Sequence, residues 1–299
     1  MLRKNTQGER PGWSAMIFDY TLAITLIGIT ILGATAGLLG TFVFLRRQSL
    51  LGDAISHAAL PGIAIAFLLT HSKNPLVLML GGAISGGIGT MFMQLITRHT
   101  KLKKDTALGI VLSVFFGFGL VLMTAIQKMP IANQSILNKF LFGNISTLLP
   151  TDVYAMTIIG AIICVCTILL WKEFTLVTFD HHFAHSVGFA THKLENILTI
   201  LVVAAIVIGL QTVGVILMSS MLIAPAAAAR QWTTRLHSMA LLSVFFAVSA
   251  GISGALASSH IDRLPTGPTI VIVLSILVLL SLMCAPLLRI AQKKLYFSE

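Results

Sequence analysis

The side chains best placed to do chemistry in this sequence are Asp53 and His57. They lie in Arg46-Arg47-Gln48-Ser49-Leu50-Leu51-Gly52-Asp53-Ala54-Ile55-Ser56-His57-Ala58-Ala59-Leu60-Pro61-Gly62, which joins two apolar runs. If the chain is helical from Leu51, the two stand at i and i+4, one turn apart on one face. A carboxylate oxygen beside an imidazole nitrogen supplies two ligands for a divalent metal such as Zn²⁺, Mn²⁺ or Fe²⁺. Spacing alone allows a plainer role, in which Asp53 caps the start of the helix and His57 packs in the next turn. The neighbourhood favours a site: Gly52, Ala54, Ser56, Ala58 and Ala59 permit close helix approach around a shared polar group. Pro61-Gly62 is expected to interrupt the helix two turns after Asp53, because proline removes a donor and clashes with the preceding turn. Broken helices at membrane depth are tolerated where they are buried in protein or line a cavity.

Composition sets the class of element that must hold this pair. Of 299 residues, 56% are hydrophobic and only 10% charged, with a mean hydropathy of +0.94. A soluble domain carries about 25% charged residues. The expected fold is therefore all-α, a polytopic membrane protein of eight or nine transmembrane helices in one domain over residues 1–299. The net charge of +10 does not point to nucleic acid, because the basic residues sit in short loops between apolar runs. The first apolar run is too long for a signal-peptide core. Cys164, Cys166 and Cys284 lie inside apolar runs and read as small buried hydrophobes rather than a disulfide or metal framework.

Taken in order, residues 1–16 form a polar, basic leader. Spans are expected over Ile17–Leu45, Leu51–Leu69, Leu76–Ile96, Ala107–Ile126, Val153–Trp171, Ile197–Met218, Ser238–Ala257 and Thr269–Ile290. Ser219–Ala229, with Pro225, reads as a short return. A partly apolar loop is expected from Gln127 to Asp152. Placing Arg46-Arg47, Arg98–Lys104, Lys172–Lys193, Arg230–Arg235 and the C-terminus in the cytosol puts 13 basic residues there and 7 opposite. That arrangement requires the Pro225 segment to cross and leaves the N-terminus outside.

Residues 172–196 form the longest polar stretch between spans, a cytosolic loop with its own helix. Asp180 reads as an N-cap, His181–Val187 as two turns, and Gly188 as the C′ glycine. Phe179, Phe183 and Val187 recur every four residues and give one apolar stripe. Such a helix either docks into a groove on a partner or rests on the bilayer surface. His181 and His185 are also i and i+4, so a second metal site is conceivable there, although solvated histidines on an exposed face are commoner. No Gly-x-x-x-x-Gly-Lys-Ser/Thr loop, His-Glu-x-x-His or Gly-x-Ser-x-Gly occurs, so the chain offers no ATP cradle, zincin site or nucleophile elbow.

Along Arg46–Gly62 the sequence resembles the permease subunits of bacterial ATP-binding-cassette importers for manganese, zinc or iron. Further matches are Leu141-Phe142-Gly143-Asn144, Thr178-Phe179-Asp180 with Phe183-Ala184 and Gly188, and Val213-Gly214-Val215-Ile216-Leu217. Leu222–Arg230 and Leu264-Pro265-Thr266-Gly267-Pro268 complete a resemblance that covers nearly the whole chain. It implies a homodimer in the bacterial inner membrane, cytosolic ATPase subunits and an extracytoplasmic metal-binding protein. It also implies that Asp53 and His57 line the metal path, with the ion as cargo and no permanently bound cofactor. Phe179, Asp180, Phe183, Ala184, Val187 and Gly188 would belong to the coupling helix seated on the ATPase. This chain would itself hydrolyse nothing.

The residues support that transfer on their own terms. One chain offers two convincing ligands in its membrane interior, whereas such metals take about four to six. A two-fold axis beside the motif would bring two copies of each together, and C₂ is the commonest oligomer symmetry. The competing reading is a stand-alone proton-coupled metal carrier using the same pair, which would need no docking helix. Metal identity stays open, since Asp/His sites accept several divalent ions.

Overall fold

The computed structural model describes residues 20–71, 74–128, 148, 150–261 and 264–296, and every element among them is helical. In chain order these are α1 (Tyr20–Leu45), α2 (Leu51–Thr70), α3 (Pro75–His99), α4 (Lys104–Gln127), α5 (Pro150–Leu169) and α6 (Trp171–Phe179). Then come α7 (His181–Ser186), α8 (Thr191–Val213), α9 (Val215–Trp232), α10 (Leu236–His260) and α11 (Thr266–Tyr296). Eight of them are long and apolar enough to cross a membrane: α1 to α5, α8, α10 and α11. The chain is a multi-pass α-helical membrane protein. The leader, the Leu141–Asn144 motif and most of the loop after Gln127 lie outside the described residues.

Helix α2 is the centre of the bundle. It packs mainly against α3 and α4, with α9 and α8 behind it, and its apolar window is 72% buried, more than that of any other candidate span. Gly62 of α2 and Gly81 of α3 make this possible. A Cβ on Gly62 would lie 2.1 Å from the Gly81 carbonyl oxygen, so the two backbones touch without side chains between them. A second layer forms where α1 packs against α10, α9 and α5.

The expected break at Pro61-Gly62 does not occur: α2 runs unbroken from Leu51 to Thr70 with Pro61 inside it. The surroundings absorb the proline. Gly119 of α4 leaves room for the ring, since a Cβ there would sit 3.1 Å from Pro61 Cδ. Ser85 Oγ donates to the Ala58 carbonyl at 2.7 Å, supplying a partner from α3 beside the disturbed turn.

Two further expectations are corrected. The break after the Ile197 span falls at Gly214 (φ +83°), not after Met218, and Pro225 sits inside the helix Val215–Trp232. The 172–196 stretch is not a loop with one helix but three helical pieces, because Lys172, Glu173, Lys193 and Glu195 are good helix formers despite their polarity. By contrast, the turn before α3 is built as its sequence suggests. Asn74 caps the helix, its side chain accepting from Leu76 N at 3.0 Å, and Pro75 takes the first helical position.

Candidate metal path and coupling surface

Asp53 and His57 are where the spacing predicts. His57 Nε2 lies 3.4 Å from Asp53 Oδ1 across one turn of α2. The capping role is not realised: the N-cap is Leu50 and no side chain caps the helix. Between Leu51 and Ala64, Asp53 and His57 are the only residues that are not buried. Their side chains are 38% and 19% exposed, so the pair marks the uncovered strip on the helix as far as Ala64, and the helix is open again only from Ile65 onward.

The imidazole is held from one side. The ring of Phe116, from α4, meets it edge-on at 4.4 Å between centroids. Its Nδ1 is buried and has no hydrogen-bond partner among the described residues, and the hydroxyl of Ser56 is in the same state. Leaving such an atom unpaired costs about 1–3 kcal/mol. Phe116 was not foreseen, because nothing in a sequence pairs an aromatic on one span with a histidine on another.

At one end of the bundle the loop from α1 to α2, the loop from α3 to α4, and helices α6 to α8 converge. A cleft of about 510 Å³ there is lined by Arg46, Arg47, Arg98, Lys104, His181 and Glu195, among others. This gathers three of the basic segments that charge counting assigns to one side. Trp171 anchors α6, meeting Phe42 of α1 edge-on at 5.1 Å and stacking on His237 of α10 at 4.7 Å.

The short helix α7 is built as its sequence dictates. Asp180 Oδ1 accepts from Phe183 N at 2.9 Å, and Gly188 closes the C-terminus at φ +94°, a left-handed conformation that suits glycine. Ala184 faces inward and is fully buried, whereas Phe179, Phe183 and Val187 are 60%, 54% and 56% exposed. The apolar stripe therefore points away from the bundle.

The structure does not bring His185 to His181. Instead His181 Nε2 and His192 Nδ1 each lie 3.9 Å from Glu195 Oε2, and these atoms could together meet a metal ion. Two guanidinium groups oppose that use. Arg98 Nη2 is 3.1 Å from His192 Nδ1, and Arg46 Nη1 is 3.9 Å from Glu195 Oε1. A divalent ion would have to displace cations from its own ligands. Arg46 is more telling. Its side chain is 10% exposed, Nε donates to Thr178 Oγ1 at 3.3 Å, and Nη2 is buried with no partner among the described residues. Burial pushes its guanidinium below the ordinary value, and Glu195 pulls it back up. Glu195 was missed in the sequence because it sits inside what polarity alone presents as a loop.

Eight membrane-length helices, an acid–imidazole pair left open on the otherwise buried first half of the central one, and a capped helix with its apolar stripe turned outward define a multi-pass membrane protein. The chain belongs to the ABC 3 transport family, which it matches over residues 18–285. It is 48% identical over 268 residues to the zinc transport system membrane protein TroC of Treponema pallidum (strain Nichols), covering 90% of each chain. It is 46% identical, also over 268 residues, to the manganese transport system membrane protein MntC of Bacillus subtilis (strain 168), covering 90% of this chain and 62% of that one. Among solved structures it resembles PsaBC from Streptococcus pneumoniae, in complex with Fab, with a TM-score of 0.80 and 32% identity. That likeness covers 94% of this chain and 98% of the other.

Proposed function

We propose that this chain is the membrane-spanning permease subunit of an ATP-driven importer for a divalent transition metal, manganese, zinc or iron, in a bacterial inner membrane. The observation that carries the proposal is the pair itself: an oxygen and a nitrogen donor 3.4 Å apart, and the only residues not buried between Leu51 and Ala64 of the most buried candidate span. Two donors are half of what such a metal needs. A homodimer whose axis runs beside α2 supplies the rest, two Asp53 carboxylates and two His57 imidazoles. The membrane-embedded carboxylate of Asp53, partly exposed on its helix, then gains a cation. The names of the Treponema and Bacillus relatives support metal as the cargo.

The energy source in this reading is a separate cytosolic ATPase. Phe179, Phe183 and Val187 enter its groove, with Asp180 and Gly188 fixing the helix ends and buried Ala184 keeping the helix seated on the bundle. An extracytoplasmic binding protein delivers the ion at the opposite face. The stand-alone proton-coupled carrier finds no support, because it gives an outward apolar stripe no purpose. The test is ATPase stimulation by Mn²⁺, Zn²⁺ or Fe²⁺, presented with the binding protein, in proteoliposomes holding permease and ATPase together. Stimulation by at least one of the three is expected; a rate indifferent to all of them would overturn the proposal.

A further inference from the structure

The basic cleft continues into a second one. This cleft, of about 540 Å³, lies between α3 and α8, reaching from Ala83 to His99 on one wall and from Asn196 to Ala204 on the other. Its floor is apolar or small, with Gly87, Val203 and Ala204, and Gln94, Arg98 and Thr199 line both clefts. Ala83 to Arg98 spans roughly 22 Å of helix at 1.5 Å per residue. One leaflet of hydrocarbon is about 15 Å deep. The result is a groove that starts as a cluster of cations at the bundle's end and becomes an apolar trough along the membrane helices.

The cluster is short of counter-charge. Glu195 is the one carboxylate among the residues that line it, against Arg46, Arg47, Arg98 and Lys104. Arg47 and Lys104 make no ion pair among the described residues, and Arg46 keeps its buried, unpartnered Nη2. We propose that this groove binds an anionic phospholipid of the cytoplasmic leaflet. Its phosphate sits among Arg47, Arg98 and Lys104, and one acyl chain runs over Gly87 between α3 and α8.

Charge complementarity and continuity select this occupant. A metal ion is repelled by the guanidinium groups on its ligands. An acidic surface of the ATPase could meet the cations but could not enter a trough between two membrane helices. A second copy of the chain, related by a two-fold axis over this face, would bring the same cations against each other. Only an amphiphile with an anionic head matches both halves, and basic pockets between membrane helices on the cytoplasmic side suit such headgroups.

The test uses the purified permease–ATPase complex and native mass spectrometry, titrated with phosphatidylglycerol or phosphatidylcholine of identical chains. Phosphatidylglycerol should occupy the complex about tenfold more than phosphatidylcholine. Arg47→Ala with Lys104→Ala should weaken it by roughly twenty-five-fold, at about fivefold per basic residue near an anionic headgroup. Gly87→Leu places a side chain in the trough where a Cβ meets nothing within 4 Å, so the fold survives while lipid occupancy falls. Equal binding of the two lipids would overturn the proposal. So would a silent Gly87→Leu together with ATPase release by the double variant, which would hand the cleft to the ATPase. A change of oligomeric state on Gly87→Leu would assign the trough to a second copy and overturn it too. None of these readouts depends on which metal is carried, or on whether one is.

Discussion

The strip around Asp53 and His57 and the helix from His181 to Ser186 are opposite solutions to one problem. Around the first, the chain leaves polar atoms unsatisfied in an apolar, tightly packed interior: His57 Nδ1 and Ser56 Oγ have no partner among the described residues. Around the second, the helix ends are closed, by Asp180 at one end and Gly188 at the other, while the apolar side chains of Phe179, Phe183 and Val187 are left in the open. Each region withholds what its own surroundings would normally provide. A buried polar atom without a partner fits a polar ligand, and an exposed apolar stripe on a rigid helix fits an apolar groove. That contrast underlies the proposal of an ion path at the first and a docking element at the second.

Several changes break or sharpen that contrast. The largest effect should come from Gly62→Val, on the packed side. A side chain there meets the Gly81 carbonyl at 2.1 Å and Ser85 Cβ at 2.4 Å, both on a neighbouring membrane helix. We expect a loss of about 3 kcal/mol or more and little folded protein by size-exclusion chromatography. A normal yield would mean that α2 and α3 are less closely joined than drawn here.

Next comes Phe183→Asp on the open side. The residue is half exposed in the isolated chain, so the variant should insert and fold normally. Docked, it buries an unpaired charge, and the ATPase should no longer co-purify. Recovery of the ATPase in normal amount would make the stripe a membrane-surface contact instead. Asp180→Ala should be milder, removing the cap from Phe183 N at a cost of about 1 kcal/mol. Transport should fall a few-fold, and Asp180→Asn should restore it. His185→Ala should be the smallest change, leaving uptake within about twofold, since His185 joins neither Glu195 nor the other histidines.

How much of this was legible in the sequence depended on the range of the forces involved. The cap at Asp180, the glycine at Gly188 and the Asp53–His57 spacing are local, and residue type with position was enough to place them. Hydropathy located the spans, because lipid selects long apolar helices. It failed where polarity and helicity part company, as at Lys172, Glu173 and Glu195, which are polar and helical. Pro61 misled because its cost is set by its neighbours, Gly119 and Ser85, which come from other helices. His181 found His192 and Glu195 rather than His185 for the same reason. Tertiary packing chose among geometries that the local sequence left equal.

The central claim is that Asp53 carries charge for a passing ion rather than form for a helix, and uptake by Asp53→Asn tests it most directly. Asparagine keeps the size and serves helix starts about as well as aspartate, so a structural role predicts near-normal behaviour. In a homodimer the substitution removes two carboxylates from four donors at once. Radiometal accumulation should be measured at limiting concentration, in cells lacking other importers, with dimer and ATPase association checked in parallel. The account predicts at least a tenfold loss of accumulation with assembly intact; near-normal uptake would contradict it.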